Sequence, residues 1–156
     1  MGRAQPRADS LRVLEHEVGV LIRRVKRVIG ERARAVHPDL QPASYLMLGY
    51  VSENGPVRAS AVAEVFDIDK GAISRQVTHL VDLGLIDGQP DPADKRATLL
   101  SVTDDAVARL EEIKSHRRKL VDEQLGDWSA PELEQFASDL ARYNAALNAL
   151  NAVNDS

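Results

Sequence analysis

Cysteine is absent from the 156 residues. That excludes a disulfide framework, a cysteine nucleophile and thiolate-based metal or peroxide sensing, and it fits a reducing compartment. Long apolar runs are missing too. Stretches such as Tyr45 to Val51 fall far short of the about 20 residues that cross a bilayer, and Met1-Gly2-Arg3-Ala4-Gln5-Pro6 lacks the apolar core of a signal peptide. Together these absences predict a cytoplasmic protein without a membrane partner. No phosphate-cradling glycine loop and no nucleophile elbow occur, and the carboxylates follow capping and surface logic, so nothing supports an enzyme. Internal repeats and low-complexity tracts are also lacking. Positive charge is not in excess either: 20 Lys and Arg against 24 Asp and Glu leave a formal charge of −4. This argues against a general polyanion binder, but contact depends on where basic groups sit, so DNA is not excluded.

What is present is a foldable composition, 44% hydrophobic and 28% charged. The length suits one ordinary domain, or a small binding unit with an added helical dimerisation region. From Leu11 the residues Leu14, Val18, Leu21, Val25 and Val28 recur at helical steps and share one face of a long helix, which runs without a cap to His37-Pro38. Its other face carries Arg23, Arg24, Lys26, Arg27, Arg32 and Arg34; these read as a solvated or ion-paired face, as do Arg117, Arg118 and Lys119 further on. A second helix is predicted over about Ala43 to Glu53, ending at Asn54-Gly55-Pro56, where Asn or Gly can take a left-handed cap conformation. A short helix, Ala59 to Phe66, follows.

After the tight Asp67-Ile68-Asp69 connection, Asp69 can cap a new helix whose buried stripe is Ile73, Val77, Leu80 and Val81 and which ends at Gly84. Two helices joined by three residues make a helix-turn-helix. Leu85-Ile86-Asp87 and Thr98 to Val102 read as strands flanking a turn over Gly88 to Arg96, a β-hairpin wing. Thr103 caps the next helix, with Asp104 and Asp105 near its positive end and Ala106, Val107, Leu110, Ile113, Leu120 and Val121 as its stripe, to about Leu125. The last helix begins with Ser129 as cap, Glu132 completing a capping box and Trp128 against Leu133 as a hydrophobic staple. Leu133, Phe136, Leu140, Tyr143, Leu147 and Leu150 form one face, which another helix of this chain or of a partner must cover.

The helix after Asp69 carries the chemistry. Its buried stripe leaves Lys70, Gly71, Ser74, Arg75 and Thr78 on the opposite face, slim enough to enter a major groove about 12 Å wide. Arg75 can bond bidentately to guanine, Ser74 and Thr78 to base edges or phosphates, and Gln76 or His79 can reach the groove walls. The competing reading is an ordinary solvated face.

Two segments resemble the MarR family: Ile73-Ser74-Arg75-Gln76-Val77 leading to Leu80-Val81-Asp82-Leu83-Gly84-Leu85-Ile86, and Asp91-Pro92-Ala93-Asp94-Lys95-Arg96 followed by Leu100 and Val102-Thr103. The first is similar to the family's recognition helix and its exit, the second to its Asp-x-Arg wing tip. The order of the surrounding helices extends the likeness over nearly the whole chain. The resemblance implies a mainly α fold with a small β-hairpin wing, a winged helix-turn-helix with N- and C-terminal dimerisation helices. Residues 1–40 and 104–156 would dimerise, and 41–103 would form the DNA-binding lobe. It implies that Asp94 holds the hairpin through a salt bridge to Arg96 while Lys95 or Arg96 reaches the minor groove. Gly88 and Gln89 stand where relatives often carry arginine, and Asp67 where the turn commonly has glycine.

By the same resemblance the protein would be a homodimeric transcription regulator that binds double-stranded DNA at a palindromic operator as a repressor and would be released by a small phenolic or lipophilic effector. Tyr45, Met47 and Tyr50 would line the effector pocket, unless they are simply core. No cofactor is expected. Two other readings compete: a metal-responsive regulator, although His16, His37, His79 and His116 are scattered, and a helical interaction module that has lost DNA binding.

Overall fold

The computed structural model describes residues 4–154. The chain packs as two units, one through Lys114 and one from Ser115. In the first, helix α1 (Ala4–Val36) is followed by α2 (Pro42–Asn54), strand β1 (Val57–Arg58), α3 (Ala59–Val65), α4 (Lys70–Asp82), β2 (Ile86–Pro90), β3 (Thr98–Val102) and the start of α5 (Asp104–Gln124). The second holds the rest of α5 and helix α6 (Ala130–Asn154). The winged helix-turn-helix is therefore present, and among the described residues no helix is long and apolar enough to cross a membrane.

Helix α1 starts earlier than its periodicity suggested, taking in Pro6, which a first turn tolerates because its missing N–H would have no partner there. Only its last turn enters the core: Ala33 and Val36 are buried, whereas Leu14, Leu21 and Val25 are exposed. The Arg109 guanidinium on α5 donates to the Val36 carbonyl at 2.7 Å and pairs with Asp105 at 3.0 Å, satisfying a carbonyl that the helix end leaves open. Leu40, Met47, Leu48 and Val51 of α2 and the turn before it, Val62 of α3, Ile73 and Leu80 of α4, Leu85, Ile86 and Leu100 of the wing, and Ala106 and Leu110 of α5 complete the core.

The end of α2 differs from expectation. Gly55 is extended (φ −76°, ψ 158°), not left-handed, and its N–H donates to Val51 at 2.7 Å. A Cβ there would lie 2.5 Å from the Val51 carbonyl, so close approach, not positive φ, demands the glycine. Left-handed residues appear instead after α3 and α4, at Asp67 (φ 50°) and Gly84 (φ 71°). Each closes a Schellman motif. Ile68 and Asp67 N–H donate to Ala63 and Glu64 carbonyls, and Leu85 and Gly84 to Leu80 and Val81. Asp tolerates this conformation better than most non-glycine residues, so the turn survives without glycine.

The sheet is three-stranded and antiparallel, in the order β1-β3-β2. The hairpin runs further than the sequence suggested: Gly88, Gln89 and Pro90 pair with Leu100, Leu99 and Thr98. Pro90 is accommodated because β2 is an edge strand. Strand β1, which sequence periodicity did not register, pairs Val57 with Leu100 and Arg58 with Leu99. At the wing's exit the Thr103 hydroxyl donates to Gly84 at 2.8 Å and accepts from Ala106 at 3.3 Å, so one side chain ties the end of α4 to the start of α5.

In the second unit the capping box forms: Ser129 N–H donates to the Glu132 carboxylate at 2.7 Å and Glu132 N–H to the Ser129 hydroxyl at 3.3 Å. The Ser129 amide holds the Glu132 carboxyl below its usual range. The ring contact made by Trp128 is with Phe136, edge-on at 5.7 Å, one turn beyond the expected partner Leu133.

Leu80 is enclosed on all sides and Val65 is 56% exposed. Leu80→Ala is expected to cost about 2–5 kcal/mol in urea unfolding, and Val65→Ala to stay within about 0.5 kcal/mol. Similar costs at the two positions would contradict this placement of the core.

Candidate nucleic-acid interface

Helix α4 is fixed by its inner face and open on its outer one. Asp69 caps it, accepting from the Ala72 amide at 2.6 Å, and Ile73 and Leu80 anchor it two turns apart. Lys70, Gly71, Ser74, Arg75 and Thr78 are exposed together. The Thr78 hydroxyl donates to the Ser74 carbonyl at 2.9 Å, leaving its lone pairs and methyl for an external partner, such as a base amino group or a thymine methyl. A Cβ at Gly71 would lie 3.3 Å from Arg75 Nη1, so the guanidinium folds back over the glycine.

Gln76 and His79 are not on this face. The Ser44 hydroxyl of α2 donates to Gln76 Oε1, and His79 Nε2 lies 3.2 Å from the Asp39 carbonyl in the α1–α2 turn. Residue 76 follows Ile73 by three and 79 precedes Leu80 by one, so both flank the buried stripe; they brace the helix rather than extend its reach.

Between α3, α4 and the wing lies an open groove of about 560 Å³. It brings together Lys70, Ser74 and Thr78 with Arg96, Ala97 and Thr98 of the wing and Ala59, Ser60 and Ala63 of α3. Its floor includes Ile73 and Val77. Asp94 and Lys95 sit exposed in the wing turn outside this lining.

The wing turn is organised by Asp91, which the sequence reading did not single out. Its carboxylate accepts from Arg58 Nε at 2.7 Å and from the Ala93 amide at 2.9 Å, while its own N–H donates to Ala97 at 2.9 Å. The Ala93 amide, with help from the Arg58 guanidinium and against the opposing effect of burial, holds the Asp91 carboxyl below the usual carboxylate range. Asp94 does not form the expected salt bridge to Arg96. Its carboxylate accepts from the Arg96 backbone amide at 3.1 Å, the local bond that an aspartate makes two residues on in a turn. Among the described residues no carboxylate pairs with Lys70, Arg75, Lys95 or Arg96.

The three suggested effector residues serve packing. Met47 is core, and Tyr45 and Tyr50 pack against it, with the Tyr50 ring edge-on to Phe66 at 5.9 Å. Among the described residues no three His, Asp or Glu side chains gather where a metal ion could sit.

Residues 39–97, spanning the helix-turn-helix and wing turn, match the model of the MarR family. The HTH-type transcriptional regulator YxaD of Bacillus subtilis strain 168 is 32% identical over 138 residues, 88% of this chain and 95% of that protein. The chain belongs to the MarR family. It is accordingly a MarR-family transcriptional regulator. A second regulator of the same organism, YdgJ, is 25% identical over 138 residues, 88% of this chain and 84% of its own. Among solved structures, RV1404 from Mycobacterium tuberculosis superposes with a TM-score of 0.72 at 20% identity, covering 89% of this chain and 95% of that one. The crystal structure of MarR gives 0.70 at 21% identity, over 89% and 93%. At these identities the two structures speak for the fold alone.

Because the Asp91 carboxyl is held down in the folded protein, its contribution to holding the wing is complete above the unfolded value of about 3.9 and is lost as pH falls through the lower folded value. The Ala93 amide resonance is expected to titrate with a midpoint below about 3.9 and to lose that titration in Asp91→Asn. A midpoint at or above the unfolded value would contradict the geometry.

Proposed function

We propose that this MarR-family regulator is a sequence-specific binder of double-stranded DNA, acting as a homodimer and repressor on a palindromic operator. Helix α4 lies in the major groove, with Lys70, Gly71, Ser74, Arg75 and Thr78 toward the bases and phosphates, and the wing brings Lys95 and Arg96 to the adjacent minor groove. One observation carries this reading: the slim outer face of α4 and Arg96 border a single groove, and their cations have no acid partner among the described residues. Small side chains permit close approach, and unpaired cations permit counterion release. Gln76, His79 and Asp94 support this surface from behind and within the turn.

The dimer rests on a different observation. Leu21 of α1 is 50% exposed and Leu140 of α6 is 40% exposed, each within an apolar helical stripe. A second copy covers such stripes at once on both sides of a two-fold axis, and two lobes then address half-sites about 34 Å apart. Release by a small lipophilic anion follows from the family resemblance and requires that the ligand bind more tightly to one spacing of the two lobes than to the other.

Selection of duplexes from a random pool by the full-length protein tests the reading. On a selected duplex, Arg75→Ala is expected to weaken binding and relax base preference at one position per half-site, a cost of about 1–3 kcal/mol. Arg96→Ala is expected to weaken all duplexes evenly and lower the salt slope by about one. Equal behaviour of both variants on selected and scrambled duplexes would contradict the division of roles. Sedimentation should give a dimer for the unaltered protein and a shift toward monomer in Leu140→Asp; a monomeric unaltered protein would overturn the assembly.

A further inference from the structure

Arg58 ends the two-residue strand β1, opposite Leu99 of β3. It uses one donor internally, with Nε reaching Asp91 Oδ2 at 2.7 Å. A guanidinium carries five N–H donors, and among the described residues nothing accepts from those on Nη1 and Nη2. The two partners are placed unequally: the Asp91 side chain is 10% exposed and that of Arg58 45%. The carboxylate sits inside with its second oxygen taken by the Ala93 amide, while much of the guanidinium remains open to solvent. The pair is a clamp between the end of β1 and the wing turn. With its cationic half open, it holds that cation in a fixed attitude at the surface.

Arg58 borders the groove described above without lining it: as the partner of Leu99 it shares the face of the sheet opposite the one that carries Leu100 and the groove-lining Thr98. Ala59 and Ser60, the next two residues, line the groove together with Lys70 and Arg96. Strand β3, which Arg58 pairs with, leads back through Thr98 and Ala97 to Arg96.

We propose that Arg58 is a further DNA-contacting residue, binding a backbone phosphate through its Nη groups, with Asp91 as the positioning residue that orients it. The proposal rests on the DNA-binding reading and deepens it. Arginine suits the role because its planar fork meets a phosphate bidentately, and a side chain already held by a carboxylate loses less freedom on contact. One ion pair then serves two ends: it folds the wing turn and aims a cation.

A double-substitution cycle separates this from a tether alone. Full-length protein and its Arg58→Ala, Asp91→Ala and doubly substituted variants are titrated with a duplex selected by the unaltered protein and with a scrambled duplex, across a series of salt concentrations. If Arg58 touches phosphate, adding Arg58→Ala to Asp91→Ala weakens both duplexes further and lowers the salt slope by about 0.9. Arg58→Lys, which keeps the charge but not the fork, retains the slope and loses part of the affinity. If Arg58 only tethers the wing, adding Arg58→Ala to Asp91→Ala changes neither affinity nor salt slope, because the tether is already lost, and this overturns the proposal. Failure of the unaltered protein to bind any duplex overturns the DNA-binding reading as well, and is read before any variant is made.

Discussion

Ile73 and Leu80, two turns apart and buried, fix α4 from within, and the arrangement of the lobe follows from that anchorage. A helix whose outer face must meet another molecule can carry no packing duty there, so its position has to be set by its inner face, its flanks and its ends. The inner face does this by burial. Gln76 and His79 add polar braces to α2 and the α1–α2 turn, Asp69 closes the start, and the Schellman motif at Gly84 closes the end. Lys70, Gly71, Ser74, Arg75 and Thr78 are thereby relieved of structural work, which is why they can be small or unpaired.

The wing inherits its position from the same helix. Leu85 and Ile86 leave α4 directly into the core, and the Thr103 hydroxyl returns to the Gly84 carbonyl, so the hairpin is bolted to α4 at its base. Its far end has no core to rest on. There the burden passes to Asp91, which gathers Arg58 from β1 and the Ala93 amide around one carboxylate. Apolar burial secures the base and charge-assisted hydrogen bonds secure the tip, as befits the exposure of each.

Signals confined to four or five neighbouring residues were legible in the sequence. The caps at Asp69, Thr103 and Ser129 with Glu132 satisfy orphan amides within their own first turns, so residue type and spacing sufficed. The α4 stripe was legible for the same reason in Ile73, Val77 and Leu80, but Val81, expected to be buried with them, is 43% exposed. What escaped depended on distant partners. Gln76 and His79 sit beside the boundary of the buried stripe, and only Ser44, 32 residues away, and Asp39, 40 away, decide which way they face. Strand β1 is two residues long and has no period to read. Arg58 joins Asp91 across 33 residues, so the carboxylate of Asp91 could not be told from any turn aspartate. Asp94 was recognised as the holder of the turn, but its partner proved to be a backbone amide two residues on, a bond that a short side chain makes without stretching and without ordering a long guanidinium.

The formal charge of −4 is reconciled with a set of cations on α4 and the wing, unpaired among the described residues, by what the nearby carboxylates do. Asp69 accepts from Ala72, Asp91 from Ala93 and Arg58, and Asp94 from Arg96 N–H. Each of these acids is turned toward backbone amides, and of the three only Asp91 neutralises a side-chain cation. A carboxylate committed to an amide stabilises a turn or a helix start while its direction is fixed away from a free pairing with lysine or arginine. Lys70, Arg75, Lys95 and Arg96 therefore have no carboxylate partner among the described residues at the surface where the proposed partner is a polyanion. Elsewhere acids such as Asp105 and Asp139 pair with arginines along helix surfaces and contribute little to any long-range field. Local placement, set by the geometry of caps and turns, thus leaves these cations without an acid partner although acids outnumber bases in the whole chain.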